Sequence, residues 1–448
     1  MRILQIVPSI ALVYGGPSQM VRGLSAWQAA AGAQVTILTT NLNGDRGEAP
    51  LDVPVDQGVQ EEGYEVHYFP CIPIHRYKFS PQLLIWLLRN GKDYDIAHIH
   101  ALFSPISTLA ATICRWIGLP YWLRPLGTLD PLDLKQKRLL KRIYAWIFER
   151  GNIAGAAALH FTSQEEARIS ERFDTLTPAV IIPVGVGIPN DTPEQSRALS
   201  ARSPVQFRSP SPPSDSVIAP SPEPSPPPPE AQQGDLPLLL YMSRIAPKKG
   251  LDLLLPTLES LAQEGVPFRF ILAGSNPQDP VYEQTIDKLV LQSRWLRDRT
   301  QITGFISGQR KQEILAKADV FVLPSYYENF GLAVAEAMAA GLPVVISRGV
   351  HIWPTVANSG AGWICDHDQE TLTTALREAL TRPNLRRERG EKALQCAATN
   401  YRWSDIARHT LKAYRESIRG WSESYPPNYP PNYPPNYPPH PPKPSSRQ

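Results

Sequence analysis

Two kinds of apolar run alternate along this chain. Short continuous runs rich in Val, Ile and Leu are bounded by Gly, Pro, Asp and Ser, and between them lie longer stretches whose apolar residues recur with helical spacing. The first kind reads as strands buried on both faces, the second as helices that cover them. In the first half RILQIVPS, AQVTILTT, YEVHYFP, DIAHIHA, PYWLRP, AALHFTS and AVIIPVG read as strands, with GPSQMVRGLSAWQAAAG and SPISTLAATICRWIG as intervening helices. In the second half LPLLLYMS, PFRFILAG, TQITGF, DVFVLPS, LPVVIS and GWICDH are strands, separated by GLDLLLPTLESLAQEG, KQEILAKA, FGLAVAEAMAAG and TLTTALREAL as helices. This alternation predicts two α/β domains, each a doubly wound, Rossmann-like parallel sheet, facing a central crevice. WSDIARHTLKAYRESIRGW is amphipathic, follows the last strand and predicts a closing helix.

Length agrees, since 448 residues exceed one ordinary core and suit two. Of 47 prolines, eleven lie between Pro204 and Pro229 and eleven between Pro426 and Pro444. The first tract lacks a periodic apolar face and predicts a disordered or polyproline II linker. The second repeats YPPN and predicts an extended low-complexity tail. The expected divisions are a first domain over 1–199, a linker over 200–234, a second domain over 235–403, a closing helix over 404–421 and a tail over 422–448.

A net charge of +3 is small for this length and gives no global field for nucleic acid. Cys71, Cys114, Cys365 and Cys396 are far apart and form no C-x-x-C pair, which fits neither a disulfide framework nor a zinc site. MRILQIVPSIALVYGG reads as a first strand and loop rather than a leader, and no uninterrupted apolar window is long enough to span a bilayer. The expected compartment is the cytosol, including the inner membrane face.

In open parallel sheets, ligands sit beyond the carboxyl ends of the strands, and four such loops carry suggestive residues. Gly15 and Gly16 precede a helix whose free N–H groups favour an anion, although an ordinary Gly-Gly turn fits too; the absence of G-x-G-x-x-G weakens a dinucleotide reading. In YMSRIAPKKGLDLLL, Arg244 and Lys249 are two cations suited to a diphosphate, or else part of a solvated basic loop, with Lys248 facing water. The sharpest feature is PSYYENFGLAVAEAMAAGLPVVIS. There Glu328 and Glu336 are eight residues apart, Asn329, Phe330, Gly331 and Leu332 open a helix between them, and Glu336 follows about a turn later on the same side. Glu336 lies in an apolar stripe and needs a partner, and a carboxylate beside a diphosphate suits sugar or ribose hydroxyls. The loop after PYWLRP brings Arg124, Gly127, Thr128 and Asp130, which suit an acceptor or an internal Arg124–Asp130 ion pair. His98 and His100 share one face of DIAHIH; His100 is placed to reach the crevice, and His98 reads as core. Asp93-Tyr94-Asp95 and Asp366-His367-Asp368 match D-x-D, yet their positions at element ends predict capping, so no metal site is expected. Ser163 lacks a G-x-S-x-G elbow.

Taken together, MSRIAPKKGLDLLL, FILAGS, ITGFISGQRKQEILAKADVFVLPSYYENFGLAVAEAMAAGLPVVIS and GAGWICDHD resemble glycosyltransferase family 4 over nearly all of the second half. The pattern S-x-x-E-x-F-G-x-x-x-x-E-A-M-A-x-G-x-P-V is its most specific part. GGPSQMVRGLSAWQAAAGAQVTILTT, DIAHIHALFSP, RPLGTLDP and LHFTSQEEA extend the likeness into the first half, and RPLGTLDP is similar to a branch found in bacterial polysaccharide assembly.

The resemblance implies a GT-B fold and a hexosyltransferase that retains anomeric configuration without a metal or other cofactor. The implied donor is a nucleotide diphosphate (UDP or GDP) sugar held mainly by the second domain, and the implied acceptor a glycan or lipid-linked sugar on the first. Arg244 and Lys249 match the pair that stabilises the leaving diphosphate, Glu328 the carboxylate contacting the donor sugar, and Glu336 the ribose-binding carboxylate. Gly331 and Leu332 match the phosphate-binding helix start and Gly16 the first-domain glycine loop; Gly15, Asn329 and Phe330 complete the implied donor set. His100, Arg124, Gly127 and Asp130 are the acceptor-side candidates. Leu126-Gly127 stands where many members carry a His-Gly step, so no histidine is transferred from that position. Two cations and a helix start would stabilise a departing diphosphate as an oxocarbenium-like transition state forms.

A sugar-nucleotide epimerase on the same fold and a non-catalytic scaffold with partner-recruiting proline tracts are the alternatives. E-x7-E beside the Arg/Lys pair favours the transferase. LDLKQKRLLKRIYAWIFER places Lys135, Lys137, Arg138, Lys141 and Arg142 beside Tyr144, Trp146, Ile147 and Phe148. That segment suits peripheral contact with anionic lipid or a surface helix packing Ile143 and Ile147 onto the sheet.

Overall fold

The computed structural model describes residues 1–44, 48–74, 77–129, 144–188, 191 and 236–424. The expected linker, residues 425–448 of the tail, Asp130 and the basic stretch 135–142 lie outside them. Across the first sheet the strands run in the order Ala179–Ile181, Ala158–Phe161, Tyr121–Arg124, Ile96–His100, Arg2–Ser9, Gln34–Thr40, Tyr64–Phe69 and Gly58–Glu61. All pair in parallel except the last, which returns antiparallel on Tyr64–Phe69. The second sheet is wholly parallel, in the order Thr300–Gly304, Arg269–Ala273, Leu238–Met242, Val320–Leu323, Val344–Ser347 and Gly362–Cys365.

The continuous apolar runs are the reason for this layering. Arg2–Ser9 is buried at every position after the first, and Val320–Leu323 and Val344–Ser347 are buried throughout, as strands sandwiched between helix layers must be. Strand order reverses at Arg2–Ser9 and at Leu238–Met242, so each sheet has a switch point opening at the carboxyl ends of its strands. Every strand expected from the sequence is present, within a few residues at its ends. The hairpin strand Gly58–Glu61, the pair Ile72–Ile74 and Tyr77–Phe79, and the helices Pro81–Asn90, Pro280–Gln292, Trp353–Ser359 and Pro383–Asn400 are additional.

The closing helix, Trp403–Ser424, leaves the second domain and packs on the first. Tyr414 Oη lies 2.7 Å from His98 Nδ1, Trp122 Nε1 donates to Ser417 Oγ at 3.0 Å, and Trp421 meets the edge of Tyr121. The crossing is pinned where Val186 N–H donates to the Tyr401 carbonyl at 2.8 Å. Beside it the Trp403 ring is wedged between two backbones: a Cβ on Gly23 would fall 2.5 Å from its Cζ2, and one on Gly185 would strike the opposite edge.

Gly23 sits inside the helix Gly16–Ala30, where alanine ordinarily stabilises by roughly 1 kcal/mol. Here Gly23→Ala reverses that sign, because the Trp403 ring it would strike is backed on its other edge by Gly185. Thermal melts of wild type and variant check it, and an unchanged or higher melting temperature would contradict the wedge.

Candidate functional site

The loops after Leu238–Met242 and Val320–Leu323 meet backbone to backbone. Gly250, at φ +74°, allows this contact, since a Cβ there would collide with the Pro324 carbonyl oxygen. On the other side of the same loop, a Cβ on Gly349 would strike the carbonyl oxygens of Ser325 and Tyr326. Tyr326 N–H donates to the Lys248 carbonyl at 2.9 Å, and Ser347 Oγ donates to the Ser325 carbonyl at 2.5 Å. Glu328 is then fixed by its own backbone: its N–H donates to the Gly349 carbonyl at 2.8 Å, and its carbonyl accepts from His351 N–H at 3.0 Å.

This framework sets the Glu328 carboxylate against the Lys249 ammonium as an ion pair. Lys249 is 6% exposed, so Glu328 is the contact that offsets removing its charge from water. Burial holds the ammonium well below its ordinary pKa, and the charges of Lys248 and Arg244 push the same way.

Around this pair opens a cavity of about 510 Å³, lined from the first domain by Gly15 and Gly16 and from the second by Arg244, Lys249, Glu328, Gly331, Leu332 and Glu336. A volume of this size suits a small-molecule ligand. Gly331, at φ +86°, caps the helix Leu332–Ala339, and Gly331, Leu332 and Ala333 line the cavity at the helix end that leaves N–H groups without intrahelical partners. Arg244 is exposed at the rim, its Nη1 donating to Gln278 Oε1 at 3.3 Å. Sequence reasoning missed the partner that Glu336 needed: Lys311, from the first turn of Gly308–Lys317, donates to Glu336 Oε1 at 2.7 Å. The demand for a partner was legible, but its source on a different helix was not. Gly274, Gln278 and Phe305 also line the cavity and were not anticipated.

The remaining candidates sit elsewhere. Phe330 is buried edge-on against Tyr401, and Asn329 faces the first domain, where its Nδ2 donates to Glu166 Oε1 at 2.7 Å. Gly127 lies against Asn329 and Tyr327. His100 does not reach the crevice. It is fully buried, with Nε2 2.7 Å from Gln5 Oε1, and stacks near His98, which neighbours His160. Burial, followed by neighbouring positive charge, lowers the pKa of all three histidines well below the usual value, as suits neutral core rings. Arg124 is buried beside Met20, and desolvation lowers its pKa to about 10 against the opposing pull of Glu166. The D-x-D aspartates serve local structure: Asp368 caps Gln369–Thr381, and Asp95 accepts from Arg2 N–H at 2.7 Å. Among the described residues no cluster of three or more His, Cys, Asp or Glu is arranged to hold a metal ion.

Residues 15–187 match the family model described as glycosyl transferase 4-like domain, and residues 227–395 match that of glycosyl transferases group 1. The chain belongs to glycosyltransferase family 4. This family 4 chain is 29% identical over 183 residues to alpha-D-kanosaminyltransferase of Streptomyces kanamyceticus, a match covering 41% of the chain and 46% of that enzyme. It thus spans about half the length of the curated relatives it first matches. It is 25% identical over 335 residues to D-inositol 3-phosphate glycosyltransferase of Xylanimonas cellulosilytica, covering 74% of each. The Anabaena HepE structure, in complex with UDP and glucose, superposes with a TM-score of 0.61 at 16% identity, covering 93% of this chain and all of that one. The fold is therefore GT-B.

Removing Glu328 leaves the Lys249 charge uncompensated. Glu328→Ala is expected to destabilise this family 4 fold by about 2–3 kcal/mol, less than a fully buried pair because the Glu328 side chain keeps 22% exposure. Adding Lys249→Met should recover most of that loss in denaturant unfolding. A double variant no more stable than Glu328→Ala would mean that the pair does not govern the loop.

Proposed function

We propose that this chain moves a glycosyl group from a UDP- or GDP-sugar to a glycan or lipid-linked acceptor in polysaccharide assembly, retaining anomeric configuration and requiring no metal ion. The observation that carries the reading is the desolvated Lys249, which lines one cavity with the exposed Arg244 and the start of Leu332–Ala339. A buried ammonium with the positive charges of Arg244 and Lys248 beside it favours an anion, and the helix start adds its own positive field. A diphosphate satisfies both. HepE, whose fold this chain shares, binds UDP and glucose, which supports the same class of donor here.

In this reading Arg244, Lys249 and the N–H groups of Gly331 and Leu332 compensate charge developing on the departing diphosphate. Glu336 accepts from ribose hydroxyls with Lys311 beside it, and Glu328 faces the donor sugar with its carboxylate oriented by Lys249. Metal independence is the part of the proposal supported by the resemblance and by cations placed to supply the leaving-group stabilisation that a divalent ion gives elsewhere.

Membrane contact is the finer part of the proposal. Trp146, Ile147 and Phe148 are 73%, 54% and 47% exposed, so Ile147 does not pack on the sheet. These apolar residues follow the cations at 135–142 directly in sequence, a combination suited to an anionic lipid surface. Among the described residues no helix is long and apolar enough to cross a membrane.

Thermal-shift titration with UDP, GDP and ADP should show stabilisation by one nucleotide that disappears in Arg244→Ala/Lys249→Ala, and transfer should survive EDTA. No shift with any nucleotide would point to a scaffold instead. Because the Lys249 pKa is lowered, its charge is present below that value and lost above it, so nucleotide affinity by calorimetry should fall as pH rises toward the ordinary lysine value of about 10.4. Lys249→Ala should flatten this dependence. Sedimentation with phosphatidylserine vesicles at low salt should carry the protein down, and Trp146→Ser/Phe148→Ser should remain in the supernatant; an unbound wild type would remove the membrane contact.

A further inference from the structure

Contacts between the domains converge on the segment that carries Glu328. From the first domain, Gly127 approaches Asn329 and Tyr327 so closely that a Cβ would lie 3.0 Å from Asn329 Oδ1 and from Tyr327 Oη. Gly16 faces Leu332, and Thr162 Oγ1 lies 3.4 Å from the Asn329 carbonyl. At their centre is Glu166, from the helix Gln164–Ile169, 2% exposed and absorbed by no role assigned above. Its Oε2 accepts from Thr162 N–H and Thr162 Oγ1, each at 2.7 Å, and its Oε1 accepts from Asn329 Nδ2 at 2.7 Å. Asn329 is committed on both sides, since its Oδ1 accepts from Tyr327 Oη at 2.6 Å.

Resting on the glycosyltransferase reading, we infer that Glu166 is a positioning residue: by accepting from Asn329 it joins the domains and sets the neighbouring Glu328 against the donor. Two of its three donors belong to its own domain and stay with it whatever the domains do. The third belongs to the opposite domain, and when the crevice opens, water can replace it at Oε1 and at Asn329 Nδ2. The contact is therefore a reversible latch. Behind Glu328 the backbone is fixed by Gly349 and His351 of its own domain, and from the front the Glu166 bond is the shortest hydrogen bond that the first domain makes to the segment. A carboxylate fits the position because one group takes three donors, which a neutral amide cannot do. The positive charge of Arg124 and these donors oppose the rise in pKa that burial alone imposes on Glu166.

The polarity of this contact can be reversed, which gives the test. Asn329→Asp sets two carboxylates face to face when both are ionised, so the comparison is made at alkaline pH, where a proton shared between them is removed. Glu166→Gln added to it restores a complementary pair, with the new amide NH₂ donating to Asp and its oxygen still accepting from Thr162. Small-angle scattering of the full chain, alone and with saturating UDP or GDP, should show a larger radius of gyration for Asn329→Asp and a wild-type radius for the double variant. The kcat for transfer should fall on the order of tenfold or more in Asn329→Asp with melting temperature little changed, donor hydrolysis should rise relative to transfer, and both should return in the double variant. An Asn329→Asp protein as compact as wild type, or a double variant no better than the single, would overturn the assignment. A wild type that no nucleotide stabilises would refute the transferase reading alone, and the scattering comparison would still decide the latch.

Discussion

An ammonium group taken out of water needs a counter-charge, and the surroundings of Lys249 are organised by that need. Its loop ends at Gly250, whose missing side chain admits the Pro324 backbone; the loop beginning at Pro324 is pressed from behind by Gly349 and delivers Glu328 to the lysine. The same loop runs on into Gly331 and the helix whose first turn opens on the cavity. Shifting any of these three glycines to a larger residue would displace the pair, and with it the geometry of every group lining the crevice.

The second domain was legible almost completely because its determinants are local. Strand, glycine turn and helix start follow one another within a few residues in YMSRIAPKKGLDLLL and in PSYYENFGLAVAEAMAAG, so local spacing puts Arg244 and Lys249 beyond one strand and Gly331 and Glu336 beyond another, and the two strands pair side by side. Lys311 escaped because its helix lies in a different part of the chain and only the folded sheet brings it to Glu336. In the first domain the weak alternation of Gly58–Glu61 and the brief Ile72–Ile74 gave too short a period to recognise. His100 was placed at the crevice from its position at a strand end. Periodicity reports the face of a strand but not what covers that face, and here the helix Trp403–Ser424 covers it.

That cover has a chemical character of its own. His98, His100, His160, Gln5 and Tyr414 form a polar seam beneath the first sheet's helix layer, with ring nitrogens and amides within hydrogen-bond reach of one another. Neutral imidazoles suit such a place because each offers one donor and one acceptor without a charge to solvate. The seam fixes the helix in one register, where an apolar interface alone would tolerate sliding.

The chain passes between the domains twice, once through residues 189–235 and once at Tyr401–Arg402, and the second passage lies directly beside Val186 at the end of the first domain. The short passage is held by backbone hydrogen bonding and by the wedged tryptophan, so of the two connections it is the one that ties the halves closely. The effective concentration of one domain around the other is therefore independent of how many residues the first passage contains. A change in the length of the proline-rich tract at 204–229 would therefore leave the reach of the second passage, set at Tyr401–Arg402, as it is.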